Sequence, residues 1–393
     1  MTFDLTEEQH ALVSSMREFS HHKLAPRSEH WDRTDEFPRE NVELMAQAGL
    51  FGFTLSERYG GSGASALDCV LAMEQIAEVC RASAFLFACQ NGPSVRALEM
   101  FASDSIKEEL LPEICAGRKL IAWGMSEPGA GSDIGRMSTN AKKVAGGFSI
   151  RGEKTWISLA READVFVVIT RFENTPGLDG IGAILVPRDI PGLEVGPKIK
   201  TLGIHGTGMA SLFFDGCEVP DENVILGPGN FRQLLEIMSG ERVVSNPPIS
   251  LGIAAAALQS VRDYLPARPV SGQPLSNFQG LRWKVADMAI QLESARLLVY
   301  RAAANAGSGL PSSLDASIAK VAANEAAVKI ADTALQLHGA AGYSLQFPVE
   351  RLVRDARGMC IGDGTVEIQR NLIANAVLGR RGAAGRTPSG HSS

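Results

Sequence analysis

Six short β-type runs, LIAWGMS, GFSIRG, KTWIS, DVFVVIT, IGAILV and SLFFDG, follow one another between residues 120 and 220, separated by Gly, Pro, Asn and Asp. The gaps between them are too tight for the crossover helices that a parallel sheet needs. A compact antiparallel barrel or sandwich therefore fits better than a Rossmann unit and is expected. Pro187, Pro191, Pro197 and Pro220 punctuate the block.

Both flanks read as helical. Thr6 with Gln9 three positions on is a capping-box signature for a first helix, TEEQHALVSSMREFSHHKL, with Pro26 at its end. Further helices are expected at PRENVELMAQAGL, from Leu67 to about Cys80, around 84–101, and at SIKEELLPEICAG. The segment ERYGGSGAS does not fit GxGxxG and reads as a connector. From 231 to 379 the pattern is helical again, and the alanine-rich stretch ending at Gly339 suits a bundle core. The end of the chain, RRGAAGRTPSGHSS, has the composition of a disordered tail. The expected organisation is α+β and multidomain: an N-terminal helical domain at 1–120, a middle antiparallel β-barrel at 121–230, a C-terminal helical bundle at 231–380 and a tail at 381–393.

Composition removes several classes of function. Lys and Arg number 38 against 44 Asp and Glu, a net charge of −6 with no long block of like charges. That argues against nucleic acid and against a polybasic membrane anchor. No apolar run approaches the roughly 18 residues of a membrane span, and MTFDLTEEQ has no basic flank before an apolar core. The six cysteines form no CxxC pair, and the seven histidines form no HExxH cluster. A reduced, cytoplasmic protein without a metal centre is expected.

The segment WGMSEPGAGSD (123–133) offers exposed N–H groups and two hydroxyls, a loop able to hold a flavin edge or a phosphate. On local grammar alone an ordinary turn between strands is the better reading. Four further segments decide: KTWIS (154–158), RPVSGQPLSNFQ (268–279), QLHGAAGY (336–343) and IGDGTVEIQR (361–370). In this order and spacing the chain resembles the acyl-CoA dehydrogenase family of flavoproteins over nearly its whole length, with features closest to isovaleryl-type members.

The resemblance implies an N-terminal helical domain, a middle β-barrel and a C-terminal four-helix bundle. It implies FAD contacts from Trp123, Met125 and Ser126, with Gly131 and Ser132 by the pyrophosphate and Ser132 also by the CoA arm. Trp156 would cover one flavin face, beside Ile157, with Ser158 donating toward N5. Serine stands at 126 and 158 where threonine is common, and keeps the hydroxyl. Arg268 would reach the FAD of a neighbouring subunit, although Pro269 and Ser271 depart from the usual Arg-x-x-Phe-Gly. Gln336, Gly339 and Ala340 would contact the adenine side of that neighbour's FAD, and Thr365 and Glu367 would close over the cofactor.

The reaction so implied removes a proton from Cα of a thioester while hydride leaves Cβ for the flavin, and it needs one poised carboxylate. Most family members carry Glu between Tyr and Gly-Thr; here the sequence is Gly362, Asp363, Gly364, Thr365. Asp363, one methylene shorter, is the expected base, with Glu241 as the alternative. Glu241, beside Arg242 in MSGERVV, stands where isovaleryl-type and long-chain members place their base. If both carboxylates approach one substrate, at least one should gain proton affinity through repulsion and burial. Gly362 leaves room for a branched or bulky short acyl group, with Arg242 and Ser132 at the substrate. The expected enzyme is an acyl-CoA dehydrogenase, a homotetramer or homodimer passing electrons to an electron-transfer flavoprotein. The alternatives are an acyl-carrier-protein thioester as substrate, a nitroalkane-oxidase-like flavin oxidase, or a catalytically silent scaffold.

Overall fold

The capping box forms at the N-terminus. The Thr6 hydroxyl accepts from the Gln9 N–H and the Gln9 side chain accepts from the Thr6 N–H, opening α1 (Glu7–Phe19). This is a computed structural model, and it describes residues 4–307 and 309–379. The tail expected at 381–393 lies outside the described residues. Six more helices complete the N-terminal part: α2 (Ser28–Thr34), α3 (Arg39–Gln47), α4 (Ala66–Val79), α5 (Arg81–Asn91), α6 (Pro93–Phe101) and α7 (Asp104–Cys115). The helix expected around 84–101 is two helices. Pro93 has no N–H for the ladder, and Gly92 before it is extended at ψ −152°, so the chain turns there.

The middle part is one sheet of β1 (Ile121–Gly124), β2 (Asn140–Val144), β3 (Gly147–Ile157), β4 (Val165–Phe172), β5 (Ile181–Pro187), β6 (Leu193–Lys198), β7 (Ala210–Pro220) and β8 (Val224–Leu226). GFSIRG and KTWIS are a single strand, β3. The order is β6-β7-β3-β2-β4-β5-β8, with β1 docked on β4 off this path. This corrects the expected antiparallel barrel in two respects. The sheet does not close, because β6 and β8 pair with no strand on their outer sides among the described residues. Pro197 inside β6 lacks an N–H, which marks an edge strand, and β8 is only three residues long. The sheet is also mixed, since β1 and β2 both run parallel to β4. All eight residues of β4 are buried, as a strand covered on both faces must be.

The C-terminal part begins with α8 (Phe231–Ser245) and α9 (Pro247–Ala267). A hairpin of β9 (Pro269–Val270) and β10 (Gln273–Pro274) follows, then α10 (Gln279–Ala304), α11 (Ser313–His338), α12 (Ala340–Tyr343), α13 (Val349–Met359) and α14 (Val366–Val377). These are seven helices rather than four among the described residues. They group about α11, which packs on α8, α9, α10, α13 and α14. Ala316, Ala319, Ala323, Ala327, Ala331 and Ala334 form its buried face at helical spacing. The core does not stop at the boundary near 231, because α4 also packs on α9 and α10. No described helix is long and apolar enough to cross a membrane.

The α4–α9 crossing is closest at Gly252. A Cβ there would stand 2.6 Å from both Ala77 Cβ and the Glu78 nitrogen. Gly252→Ala gains about 1 kcal/mol of helix propensity but forces two backbones apart, which costs roughly 1–3 kcal/mol. Because backbone cannot rotate away, the steric cost wins. The variant is expected to unfold at lower urea than wild type with an unchanged m-value; equal or greater stability would contradict this packing.

Candidate active site

The loop that follows β1 and the end of β3 are joined by a buried ion pair. Lys154 Nζ lies 2.7 Å from Glu127 Oε1, and both side chains are sealed from solvent. The ammonium also donates to the Met125 carbonyl at 3.1 Å. Glu127 accepts further bonds from the N–H groups of Ser138 (2.7 Å) and Thr139 (2.9 Å) and from the Ser138 hydroxyl (2.8 Å). Burial alone would raise this carboxyl, yet the Lys154 charge and these donors hold it at about 2. Burial pulls the Lys154 ammonium down to about 8.

That pair positions two of the expected motifs against each other. The Thr155 N–H donates to the Ser126 carbonyl at 2.8 Å. The pairing of β3 with β7 then slips between Lys154 and Ile157, and Trp156 takes a left-handed φ of 61° at this bulge. Its indole is left 58% exposed, while Ile157 is buried and Ser158 half-buried. Across from it, Trp123, Met125 and Ser126 are half-buried and Gly131 and Ser132 are exposed. A Cβ built at Gly129 or Gly131 would meet no atom within 4 Å, so the loop presents open backbone. An aromatic face, two hydroxyls and an open, glycine-lined backbone fit a flavin with its phosphates.

A second cluster surrounds the loop between α13 and α14. Asp363 is left-handed at φ 57° and its side chain is about one-third exposed. Arg242 on α8 is buried; its Nε donates to the Asp363 carbonyl at 3.1 Å and stands 3.7 Å from Oδ2. The Ser245 hydroxyl donates to the same carboxylate at 3.4 Å. Thr365 caps α14 by accepting from the Ile368 N–H, and Glu367 lies exposed in the first turn of that helix. A Cβ at Gly362 would meet only the Gly358 carbonyl, at 3.7 Å.

Glu241 does not join this cluster. It is 2% exposed, and Oε1 accepts from Arg96 Nε on α6 at 3.0 Å. Oε2 is buried without a partner among the described residues. Burial raises its proton affinity and the Arg96 charge opposes that; the like charge beside it is Glu99. The two carboxylates are therefore held apart by two different arginines.

A third group is brought together elsewhere. Arg268, Gln336, Gly339 and Ala340 line one cleft of about 430 Å³ with Tyr264, Lys284 and His338. The departure from the usual pattern at 269–272 forms the β9–β10 turn, with Ser271 and Gly272 both left-handed, as a two-residue hairpin requires. No hydrogen bond links this cleft to the Trp156 site among the described residues.

Sequence reasoning missed Glu127, Lys154 and Arg96. An acid inside SEPG and a base inside KTW were a readable signal; Arg96 carries none, being 145 positions from its partner.

Comparison with known proteins places the chain in a family. Sequence models of the acyl-CoA dehydrogenase N-terminal, middle and C-terminal domains match residues 6–118, 122–217 and 231–378. The chain belongs to the acyl-CoA dehydrogenase family. It is 36% identical over 96% of its length to a probable acyl-CoA dehydrogenase, YngJ, of Bacillus subtilis (strain 168), all of which is covered. Butyryl-CoA dehydrogenase from Megasphaera elsdenii superposes with a TM-score of 0.92 at 33% identity, covering 96% of this chain and 100% of the other. A chain from a structure of the electron transferring flavoprotein of Acidaminococcus fermentans gives 0.93 at 33% identity, again with 96% and 100% coverage. The protein is thus an FAD-dependent acyl-CoA dehydrogenase.

Lys154→Met leaves Glu127 buried and uncompensated, a loss of about 3–5 kcal/mol. Denaturant unfolding near neutral pH should show it, together with lowered FAD retention. The Glu127 contribution is present above its ordinary 4.5 and is lost as pH falls toward about 2, so wild type and variant should converge in that window. Equal stability at neutral pH would sink this account of the pair.

Proposed function

We propose that the protein carries out α,β-dehydrogenation of a short, branched or bulky acyl-CoA, with Asp363 taking the proton from Cα. Access carries the reading. The Asp363 side chain is about one-third exposed and is braced by Arg242 and Ser245. Glu241 is buried against Arg96, and its Oε2 reaches no surface. Bound FAD supplies the acceptor for the hydride that leaves Cβ, and an electron-transfer flavoprotein is the proposed destination of the electrons. Trp123, Met125, Ser126, Gly131, Ser132 and the Trp156–Ser158 segment would hold that cofactor. The similarity to a butyryl-CoA dehydrogenase supports a short chain, and the open space at Gly362 supports a branch beside Cα. All six cysteines are free, which fits a cytoplasmic setting.

Oligomerisation belongs to the same proposal. Trp283, Ile290 and Leu297 recur every seven residues along α10 and are 63%, 63% and 50% exposed. Such a stripe suits a second copy, and the cleft at Arg268 and Gln336 would then serve a neighbour's FAD. Light scattering at micromolar concentration should give a dimer or tetramer, and Trp283→Asp with Ile290→Asp should dissociate it and lower FAD content. A monomeric wild type with full FAD would contradict the assignment.

The catalytic reading is tested by anaerobic mixing with butyryl-, isobutyryl- and isovaleryl-CoA while the visible flavin absorbance is followed. Bleaching by at least one of them is expected in wild type. Asp363→Asn keeps shape and removes the acceptor, so the bleaching rate should fall roughly 100- to 10,000-fold with FAD still bound. Glu241→Gln should change it by only a few-fold. The reverse result would move the base to Glu241.

A further inference from the structure

The loop that carries Asp363 hangs from the C-terminal end of α13, where the last carbonyls of any helix lack partners within it. Here they are met from below. The Met359 carbonyl accepts from Asn324 Nδ2 at 2.6 Å, Lys320 Nζ at 3.1 Å and Asn246 Nδ2 at 3.3 Å. Asn246 also reaches the Gly362 carbonyl at 3.4 Å, and Gln369 Nε2 donates to the Gly364 carbonyl at 3.2 Å. The Ser250 hydroxyl fixes Asn324 at 2.8 Å, and the Ser317 hydroxyl fixes Gln369 at 3.0 Å.

Lys320 is the unusual member of this cradle. Its side chain is fully buried on α11, and no carboxylate lies within 4.0 Å of its nitrogen among the described residues. Lys154, the other fully buried lysine, has Glu127 at 2.7 Å. A neutral side chain that merely filled space would cost less than an ammonium without a close counter-ion. A carbonyl at a helix C-terminus is the negative end of the helix dipole, so a cation there is favoured. Other charged or titratable groups in reach are Asp363 and Cys360 on the loop, Arg242 on α8 and Glu367 on α14, while the start of α9 presents the neutral Asn246 and Ser250. Burial pushes the ammonium down to about 8, with Asp363 the leading charge that opposes the loss of its proton.

We infer that Lys320 is a positioning residue for the reaction: its ammonium holds the Met359 carbonyl at the end of α13, and through that helix end it fixes where Asp363 meets the substrate. The inference rests on Asp363 being the base. A displacement of the reacting group by about 1 Å can cost on the order of 100-fold in rate without preventing binding. Loss of Lys320 should therefore act on turnover, not on substrate affinity.

The test uses the FAD-loaded enzyme and stopped-flow flavin reduction by the best short acyl-CoA. Lys320→Met should keep FAD content and the substrate dependence within about twofold and lower the limiting reduction rate roughly 10- to 100-fold. Lys320→Gln retains an N–H donor without the charge and should recover part of that loss. In an Asp363→Asn background Lys320→Met should add nothing, because no carboxylate remains to be placed. A second readout is independent of turnover. The folded amine sheds its proton near 8 and the unfolded one near 10.5, so the stability of wild type relative to Lys320→Met should rise across that interval.

Wild-type reduction rates in both Lys320 variants would overturn the proposal. So would losses that multiply with Asp363→Asn, which would mark a general structural role. Asp363→Asn alone reports on the base, so a wild-type rate in that single variant would remove the base reading while the Lys320 variants still show whether the cradle governs turnover. If Lys320→Met does not fold, Lys320→Gln carries the same comparison.

Discussion

Glu127 and Lys154 connect what the backbone alone would leave separate. The acid leads a loop that runs on to Asp133, and the base sits near the end of an eleven-residue strand. Burying both charges is expensive, and it is tolerated only where nearly every lone pair and proton finds a partner. Here the carboxylate takes four donors in all, two on each oxygen, and the ammonium takes a second acceptor in the Met125 carbonyl. The gain is not net stability. The pair fixes the start of β2, the loop after β1 and the bulge at Trp156 relative to one another, so a cofactor would meet surfaces already in place.

The three-part partition was legible because short β-type runs broken by Gly, Pro, Asn and Asp replace the helical period near 120 and give way to it again near 231. The strands that reasoning passed over lack that signal. β2, NAKKV, carries two lysines in five residues, β6 contains Gly196 and Pro197, and β8 is three residues long. Their pairing is set by the neighbours: β2 bridges β3 and β4, and the parallel contacts of β4 arise because the long loop after β1 returns the chain to the same side. The break at Gly92–Pro93 was readable from the proline itself. At the site, the flavin-type motifs were legible as motifs, but which carboxylate faces open space was not, since Arg96 and Glu241 meet only through tertiary packing.

Glu241 and Arg242 illustrate how helix geometry divides labour between adjacent residues. Consecutive side chains on a helix point about 100° apart and do not face each other. On α8 this sends Glu241 toward α6 and Arg242 toward the loop after α13. One residue is then closed off with Arg96, while the other braces Asp363. Asp363, which the sequence already favours over Glu241, gains a second distinction because one helical step separates Glu241 from the arginine that serves Asp363.

The helix that carries the Asp363 loop is itself held from three directions. Asp355, buried in α13, accepts from Arg81 Nε of α5 at 3.0 Å and from the Ile204 N–H of the β6–β7 loop at 2.6 Å. Gly203 lies against the Arg354 backbone, close enough that a Cβ would stand 2.6 Å from its carbonyl carbon. On the opposite side α13 rests on α11, where Asn324 and Lys320 take its terminal carbonyl. The N-terminal part, the middle sheet and the C-terminal helices thus each supply fixed points for a single eleven-residue helix. A loop placed this way inherits the rigidity of all three parts, and no one of them, folded alone, would contain the information that positions it.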